Sequence, residues 1–213
     1  MDTEVLAPRY RIRRVTHGSP EYASHLALVT AAYLQEGFID SSDRLPDQYD
    51  GPTARYYLLS PLESPEECTG TFRILEGKNV VLPALIACPN HPIEGIREKI
   101  CESTRVTAKH RPDFIGRTRL SRYVLFEAVI QAVVHLREHE LWAVISLGSP
   151  VIFEWINTTF CGSQRAFGAP FWYHGGMVVP SIIWRDEFER IVAHDAPHLF
   201  AYYLRAVEEA QAN

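Results

Sequence analysis

The sequence predicts a mixed α/β fold, in which a sheet carries helices on both faces. Tyr10–Val15 alternates as a strand does, and Ser19-Pro20-Glu21 then supplies an N-cap, a proline at the first helical position and an acid in the first turn. Several strand patterns follow before a long apolar helix pattern at residues 120–139. This succession is typical of a layered α/β domain.

The first helix should present Tyr22, Leu26, Val29 and Tyr33 to the core and stop at Gly37. A strand hairpin is predicted next, at 56–59 and 69–75, followed by a strand in the first part of 79–87 and a short helix at Pro92–Lys99. A strand from Ile100, the helix at 120–139, a strand at 143–147 and a helix at 150–160 come after these. The chain should end with a hairpin at 171–184 around Gly175-Gly176 and with helix from 185 to 213, interrupted at Pro197.

The composition limits the classes to which this protein can belong. A chain of 213 residues that is 46% hydrophobic and 22% charged predicts a single domain over residues 1–213, and a net charge of −5 argues against a nucleic-acid partner. The four cysteines include no C-x-x-C pair, so we expect neither a disulfide framework nor a zinc site. The N-terminus lacks a secretory pattern, and no apolar run approaches the ~18 residues of a membrane span. We therefore expect a cytoplasmic protein without a transmembrane segment.

Residues 100–119 concentrate polar and charged side chains between a predicted buried strand and the long helix. In a regular strand Glu102 and Arg105 would face opposite ways, whereas a bulge or splay would turn both toward one cavity. There Glu102 could take a proton from an attacking amine while Arg105 holds it ionised. The alternative is a structural ion pair at a strand end.

The basic segment that follows predicts an anion site. The segment contains Arg111, Gly116, Arg117 and Arg119, which precede or open the buried helix. The backbone N–H groups at the helix start and the guanidinium groups suit a phosphate. A solvated loop with arginines is the alternative interpretation.

Asp47 and Asp50 lie three apart in a loop and suit the ammonium group of an amino-acid-like acceptor, unless they only cap turns. Arg73 lies in an apolar strand, where an unpaired charge is costly, so we expect a carboxylate partner among Asp47, Asp50 and Glu102.

The nine histidines show no metal-binding motif. His135 and His139 are four apart on the long helix, but without a third ligand the sequence predicts a core residue and a helix-end residue. We expect no metal.

These residues together resemble the GNAT acyltransferases, and more specifically the acyl-homoserine-lactone synthases and the N-acyl amino acid synthases, over residues 22–167. The resemblance rests on Asp47-x-x-Asp50, Ala54-x-Tyr56-x-Leu58-Leu59, Gly70-x-x-Arg73 and Glu102-x-x-Arg105 in this order. Val29 and Phe38 replace the arginine and tryptophan of the lactone synthases, whereas Glu36-Gly37-Phe38-Ile39 and Gly175-Gly176-Met177-x-x-Pro180 resemble the N-acyl amino acid branch.

The resemblance implies a GNAT-like three-layer sandwich with a twisted, splayed mixed sheet, and an N-acyltransferase activity. The expected donor is a fatty acyl thioester of phosphopantetheine, on acyl carrier protein or on CoA, and the expected acceptor is an amino acid amine. No permanently bound cofactor is implied. The proposed catalytic residues are Glu102 and Arg105.

An acyl chain needs an apolar tunnel, for which Trp142, Phe153, Trp155, Phe171 and Trp172 are candidates, with core packing as the alternative for each. Two other functions stay open from the sequence. One is a homoserine-lactone synthase that uses S-adenosylmethionine, and the other is a non-catalytic acyl-binding or regulatory module.

Overall fold

The computed structural model describes residues 10–37, 39, 46–89, 91–109 and 114–212, with only the backbone described at 114–119. The strands are β1 (Tyr10–Val15), β2 (Arg55–Pro61), β3 (Gly70–Glu76), β4 (Ile100–Ala108), β5 (Ala143–Gly148), β6 (Gln164–Ala166), β7 (Phe171–Tyr173) and β8 (Gly176–Trp184). The helices are α1 (Pro20–Gln35), α2 (Pro83–Ala87), α3 (Phe114–Glu138), α4 (Pro150–Thr159), α5 (Arg185–Asp195) and α6 (Pro197–Gln211), with a 3₁₀ helix at Pro92–Lys99.

The strands form a mixed sheet in the order β1-β2-β3-β4-β5-β8-β6, with β7 paired to β8. The β4–β5 pair is parallel, and its ladder runs from Ile100↔Ala143 to Glu102↔Ile145. β5 and β8 pair antiparallel over the whole of β5. The ladder pairs described for β4 and β5 thus cover only the first three residues of each strand, as expected of the predicted splay.

The chain divides into two compact units, although the sequence predicts a single domain. The first consists of Met1–Ile74 and Thr104–Ala128, and the second of Leu75–Ser103 and Val129–Asn213. β3 and β4 each contribute residues to both units.

The core of the first unit forms where α1 and α3 pack on β2 and β3. Val29, Leu58, Phe72 and Val124 are all at most 1% exposed. A Cβ added to Gly70 would lie 2.3 Å from Val124 Cγ2, so the close approach of β3 and α3 requires glycine at this position.

The core of the second unit is built on β4, β5 and β8 and on the helices α3 to α6. Fully buried aromatic side chains at Phe160, Phe188 and Tyr203 fill it, with Phe188 and Tyr203 in an edge-to-face pair at 5.8 Å.

Most predicted elements are confirmed, and four differ. The stretch 79–87 is not a strand: a turn follows β3, and Pro83 opens the short helix α2. The long helix begins at Phe114, six residues earlier than predicted, and β6 was not predicted. On α1 the buried residues are Tyr22, His25 and Val29, whereas Leu26 and Tyr33 of the predicted face are half-buried.

In the described part of the chain, no helix combines the length and apolar character that a membrane crossing requires.

Candidate active site

Four charged side chains of the first unit form a closed ring of ion pairs. Arg73 Nη1 lies 2.9 Å from Asp47 Oδ1 and 3.0 Å from Asp50 Oδ1. Arg105 Nη2 lies 2.7 Å from Asp47 Oδ2, and Arg105 Nη1 lies 2.9 Å from Asp50 Oδ2. Each aspartate therefore bridges both arginines. The prediction that Arg73 has a carboxylate partner is confirmed.

The loop that carries the two aspartates is held by its own hydrogen bonds. The backbone N–H of Asp47 donates to Asp50 Oδ2 at 2.9 Å, and the N–H of Tyr49 donates to Asp47 Oδ1 at 2.9 Å. The Tyr56 hydroxyl donates to Asp50 Oδ1 at 3.1 Å and accepts from the N–H of Gly51 at 2.9 Å. The aspartates thus cap a turn and join the ion-pair ring at the same time.

Arg105 reaches this ring through an unusual backbone conformation. Its φ is +56°, in the left-handed region, inside β4. A side chain other than glycine costs roughly 1–2 kcal/mol there, and the conformation is one that a bulged residue adopts. The sequence predicted a bulge or splay at this point, and the φ of Arg105 supplies the local break in strand geometry.

The ring balances two positive and two negative charges with little access to water. Arg73 and the Asp50 side chain are almost fully buried, whereas 32% of the Asp47 side chain is exposed. Burial raises the pKa of Asp47, but the charges of Arg73 and Arg105 outweigh burial, and the net pKa is lowered. Asp47 is therefore an ionised carboxylate with part of its side chain exposed to solvent.

His25 is a buried residue beside this ring that the sequence did not single out. Thr71 Oγ1 donates to the Tyr57 carbonyl at 2.8 Å and lies 2.6 Å from His25 Nδ1. Since a hydroxyl has one hydrogen, Nδ1 is the donor and Nε2 is unprotonated. Nε2 has no hydrogen-bond partner among the described residues. Burial lowers the pKa of His25 to about 3, and the charge of Arg105 acts in the same direction.

Glu102 belongs to the second unit and has a different environment. Its side chain is 2% exposed, and its Oε2 accepts from the N–H of Ala84 at 3.0 Å. The N-cap residue of α2, Leu82, makes no side-chain cap, so Glu102 supplies an acceptor at the start of this helix. A catalytic role for Glu102 and a cavity that it shares with Arg105 stay predictions.

The predicted anion site lies only partly within the described residues. Arg111 lies outside them, and Gly116, Arg117 and Arg119 fall in the first turns of α3, where only the backbone is described. In the first unit an open groove of about 490 Å³ runs along α1. Its lining includes the small residues Ser24, Ala27, Ala31 and Ala32, together with Lys109 and Ser121. The prediction for these four donor residues stays open.

The five aromatic candidates for an acyl tunnel lie in the second unit, and none is buried. Trp142 and Trp172 are 47% and 70% exposed, and Phe153, Trp155 and Phe171 are half-buried. Core packing, the alternative for each of the five, is therefore wrong for Trp142 and Trp172, whereas both interpretations stay open for the other three.

Strand pairing separates Trp142 from the other four aromatic residues. Trp142 precedes β5, whereas α4 begins after its last residue, Gly148. The β7–β8 hairpin also reaches the Gly148 end of β5, because Gly148 pairs with Val179 and Phe171 pairs with Val178. The two ends of β5 are roughly 17 Å apart.

A buried polar network that the sequence did not indicate lies between β5, β6 and β8. Gln164 Nε2 donates to Ser181 Oγ at 2.7 Å, and Ser146 Oγ lies 3.1 Å from Ser181 Oγ. Its three members are ordinary strand residues, so nothing in the sequence marks them.

Comparison with known proteins gives a fold but no family. No family model and no curated protein matches the chain. The chain resembles TofI in a ternary complex with an inhibitor and MTA, with 17% identity over 88% of this chain and 97% of that one, at a TM-score of 0.60.

Two further similar structures are those of acyl-transferring synthases. FeeM, an N-acyl amino acid synthase from uncultured soil microbes, is 18% identical over 85% of this chain and 94% of that one, at a TM-score of 0.52. BjaI, a CoA-dependent acyl-homoserine lactone synthase solved with SAM and isopentyl-CoA, is 15% identical over 86% of this chain and 88% of that one, at a TM-score of 0.54. At such identities the likeness establishes the fold, which is the GNAT-like fold that the sequence predicted.

Proposed function

We propose that this protein is an N-acyltransferase that moves a fatty acyl group from a phosphopantetheine thioester to the amine of an amino acid, and that it acts in the cytoplasm. The observation that carries the proposal is the ring of Asp47, Asp50, Arg73 and Arg105. These residues belong to the motifs that resemble the N-acyl amino acid synthases, and they occur in a chain that shares the fold of FeeM.

The ring is suited to positioning an acceptor. Its charges are mutually satisfied, so it holds the 46–51 loop in place, and the exposed part of Asp47 offers a carboxylate to the acceptor's ammonium. Removal of a proton from that ammonium gives the amine nucleophile. In the proposed mechanism Glu102 accepts this proton, directly or through water.

The amine nitrogen then attacks the thioester carbonyl, the C–N bond forms and the C–S bond breaks. Backbone N–H groups where β4 and β5 diverge would stabilise the oxyanion. The nitrogen loses its second proton and the leaving thiolate takes up one, so one amide and one thiol result. Acyl carrier protein is the proposed donor, and acyl-CoA is the alternative, since BjaI is described with an acyl-CoA. The donor's phosphate would bind at Arg111, Gly116, Arg117 and Arg119.

A homoserine-lactone synthase is the second candidate, because the TM-scores of TofI and BjaI, at 0.60 and 0.54, are no lower than that of FeeM, at 0.52. Val29 weighs against this candidate. It stands where the resemblance places an arginine of the lactone synthases, and it is fully buried in the apolar core of the first unit.

Mass spectrometry of lipid extracts from cells that express the full chain tests the proposal, because it identifies acceptor and chain length together. N-acyl amino acids, absent from cells with an empty vector, are the expected product. Acyl-homoserine lactones would replace the proposal with the second candidate, and the absence of both would favour a non-catalytic acyl-binding module.

Glu102→Gln tests the proposed base separately. The amide oxygen can still accept from the Ala84 N–H, so this hydrogen bond is kept while the proton acceptor is removed. We expect turnover to fall about 10²-fold or more. Glu208→Gln, at an exposed position of α6, is the matched control. Unchanged turnover in Glu102→Gln would reject Glu102 as the base without affecting the acyl-transfer proposal.

A further inference from the structure

Two histidines that the acyl-transfer proposal does not use meet a third side chain in the second unit. His135 and His139 lie one turn apart at the end of α3, and Glu76 ends β3. Glu76 Oε1 lies 3.0 Å from His135 Nε2 and 3.9 Å from His139 Nδ1. The sequence predicted no metal here because it offered no third ligand, and the fold provides one.

The spacing of these three atoms matches what a small cation requires. One ligand atom from each of Glu76, His135 and His139 falls within 4.8 Å of the other two. Tetrahedral zinc has bonds of about 2.0–2.2 Å to nitrogen and oxygen, which sets neighbouring ligand atoms about 3.3–3.6 Å apart. Changes of a few tenths of an ångström to about one ångström would therefore complete the coordination geometry.

The second carboxylate oxygen is already held in place. Glu76 Oε2 lies 2.7 Å from Lys78 Nζ and accepts from Asn79 Nδ2 at 3.3 Å. These contacts turn Oε1 toward the imidazoles, which is how neighbouring groups orient metal ligands in known sites.

Solvent access and the dipole of α3 also favour a cation at this position. His135 and Glu76 are buried, whereas 26% of the His139 side chain is exposed, so an ion could enter past His139 and keep a water as fourth ligand. The site lies at the C-terminal end of a 25-residue helix, where the helix dipole favours positive charge.

From this geometry we infer that Glu76, His135 and His139 form a binding site for one divalent transition-metal ion, with zinc the best match to a ligand set of two imidazoles and one carboxylate. The ion would join the end of β3 to the end of α3 within the second unit. The competing interpretation is a buried carboxylate–imidazole pair, in which a proton takes the place of the metal.

Titration of the untagged, chelator-treated full chain with Zn²⁺ in a calorimeter tests this inference. We expect saturation at one equivalent and a rise in melting temperature with excess Zn²⁺, because an ion that binds only the folded state stabilises it. Substitution of Co²⁺ should produce the strong visible absorption of a tetrahedral site.

His139→Gln is the preferred variant, because the position is partly exposed and glutamine keeps a polar side chain of similar length. We expect at least a tenfold loss of zinc affinity and no tetrahedral Co²⁺ spectrum, with an unchanged circular dichroism spectrum. His198→Gln, at an exposed position of α6, should bind as the wild type does. Failure of the wild type to bind in a saturable way, or equal affinities in the two variants, would overturn the site. Glu76→Gln, which also removes a ligand, should lose affinity in the same way.

Discussion

Arg73 and Arg105 are buried cations that share the same two carboxylates. Removing a single partner from such a pair leaves a charge in a poorly hydrated site, and this is costly even where the intact pair adds little net stability. The ring thus makes the placement of the 46–51 loop depend on two strand residues. A residue-scale change in β3 should therefore show up as a change in global stability.

Arg73→Met should lower the free energy of unfolding by about 3 kcal/mol or more, because it leaves Asp47 and Asp50 with Arg105 as their remaining ring partner. Urea denaturation followed by circular dichroism measures this. Lys109→Met, which removes an exposed pair with Glu67, should cost less than about 1 kcal/mol. Equal costs for the two variants would show that the ring is energetically an ordinary surface pair.

His25 should make the protein less stable as the pH falls below neutrality. The folded-state pKa is lowered from 6.5 to about 3, so between these values the unfolded state binds the proton and the folded state does not. Stability is then full above pH 6.5 and declines as the pH falls, by about 2 kcal/mol at pH 5.

His25→Asn provides the test, since its amide can still donate to Thr71 but does not titrate. Urea midpoints measured from pH 7.5 to 5 should fall less steeply in this variant than in the wild type. The same change at exposed His198 should leave the wild-type slope in place. Parallel slopes for wild type and His25→Asn would exclude His25 as the titrating group.

At the scale of elements, β4 departs from the two-residue periodicity of a regular strand. A regular strand would put Glu102 and Arg105 on opposite faces, but the left-handed φ of Arg105 breaks the strand geometry between two other buried residues, Glu102 and Thr107. The apolar stretch after β3 likewise has the composition of a strand. A turn after Glu76 interrupts it, and Pro83 then opens a short helix.

The packing of β3 on α3 gives a test at the same scale. Gly70→Ala should lower the free energy of unfolding by about 1–3 kcal/mol, because the new methyl group would overlap Val124 Cγ2. Gly95→Ala, with nothing within 4 Å of the added Cβ, is the control. In the double variant Gly70→Ala/Val124→Ala the two effects should be less than additive. Full additivity in thermal melts would contradict the close contact.

At the scale of the whole molecule, the aromatic residues proposed for the acyl tunnel fall at two ends of β5. The group at the Gly148 end includes Phe153 and Phe171, whereas Trp142 precedes the other end. If the protein transfers acyl chains, chain-length preference should depend on this group and not on Trp142.

Phe153→Ala should shift acyl preference toward longer chains, with a change of about fourfold in relative kcat/KM per methylene, corresponding to about 0.8 kcal/mol for each buried CH₂. Trp142→Ala should leave the product distribution as in the wild type. Competition assays with mixed acyl donors, read by mass spectrometry, measure both. A shift caused by Trp142→Ala alone would place the acyl pocket at the other end of β5.

The sequence by itself determined most of the elements, because apolar periodicity, caps and prolines act locally. It also determined that Arg73 has a carboxylate partner, because a buried cation requires one nearby. It predicted Asp47, Asp50, Arg73 and Arg105 as candidate site residues, with the two aspartates among the possible partners of Arg73. It missed His25 and the contacts of Glu76 with His135 and His139, because these depend on side chains far apart in the chain.

Only the tertiary structure decided those contacts. Thr71 meets His25 across 46 positions of sequence, and Glu76 meets His135 across 59, through packing that no local pattern encodes. The structure also turned Arg105 into the ring through one left-handed residue and capped α2 with Glu102. Local rules specify which segments form elements, whereas burial of many side chains at once specifies which of their residues meet.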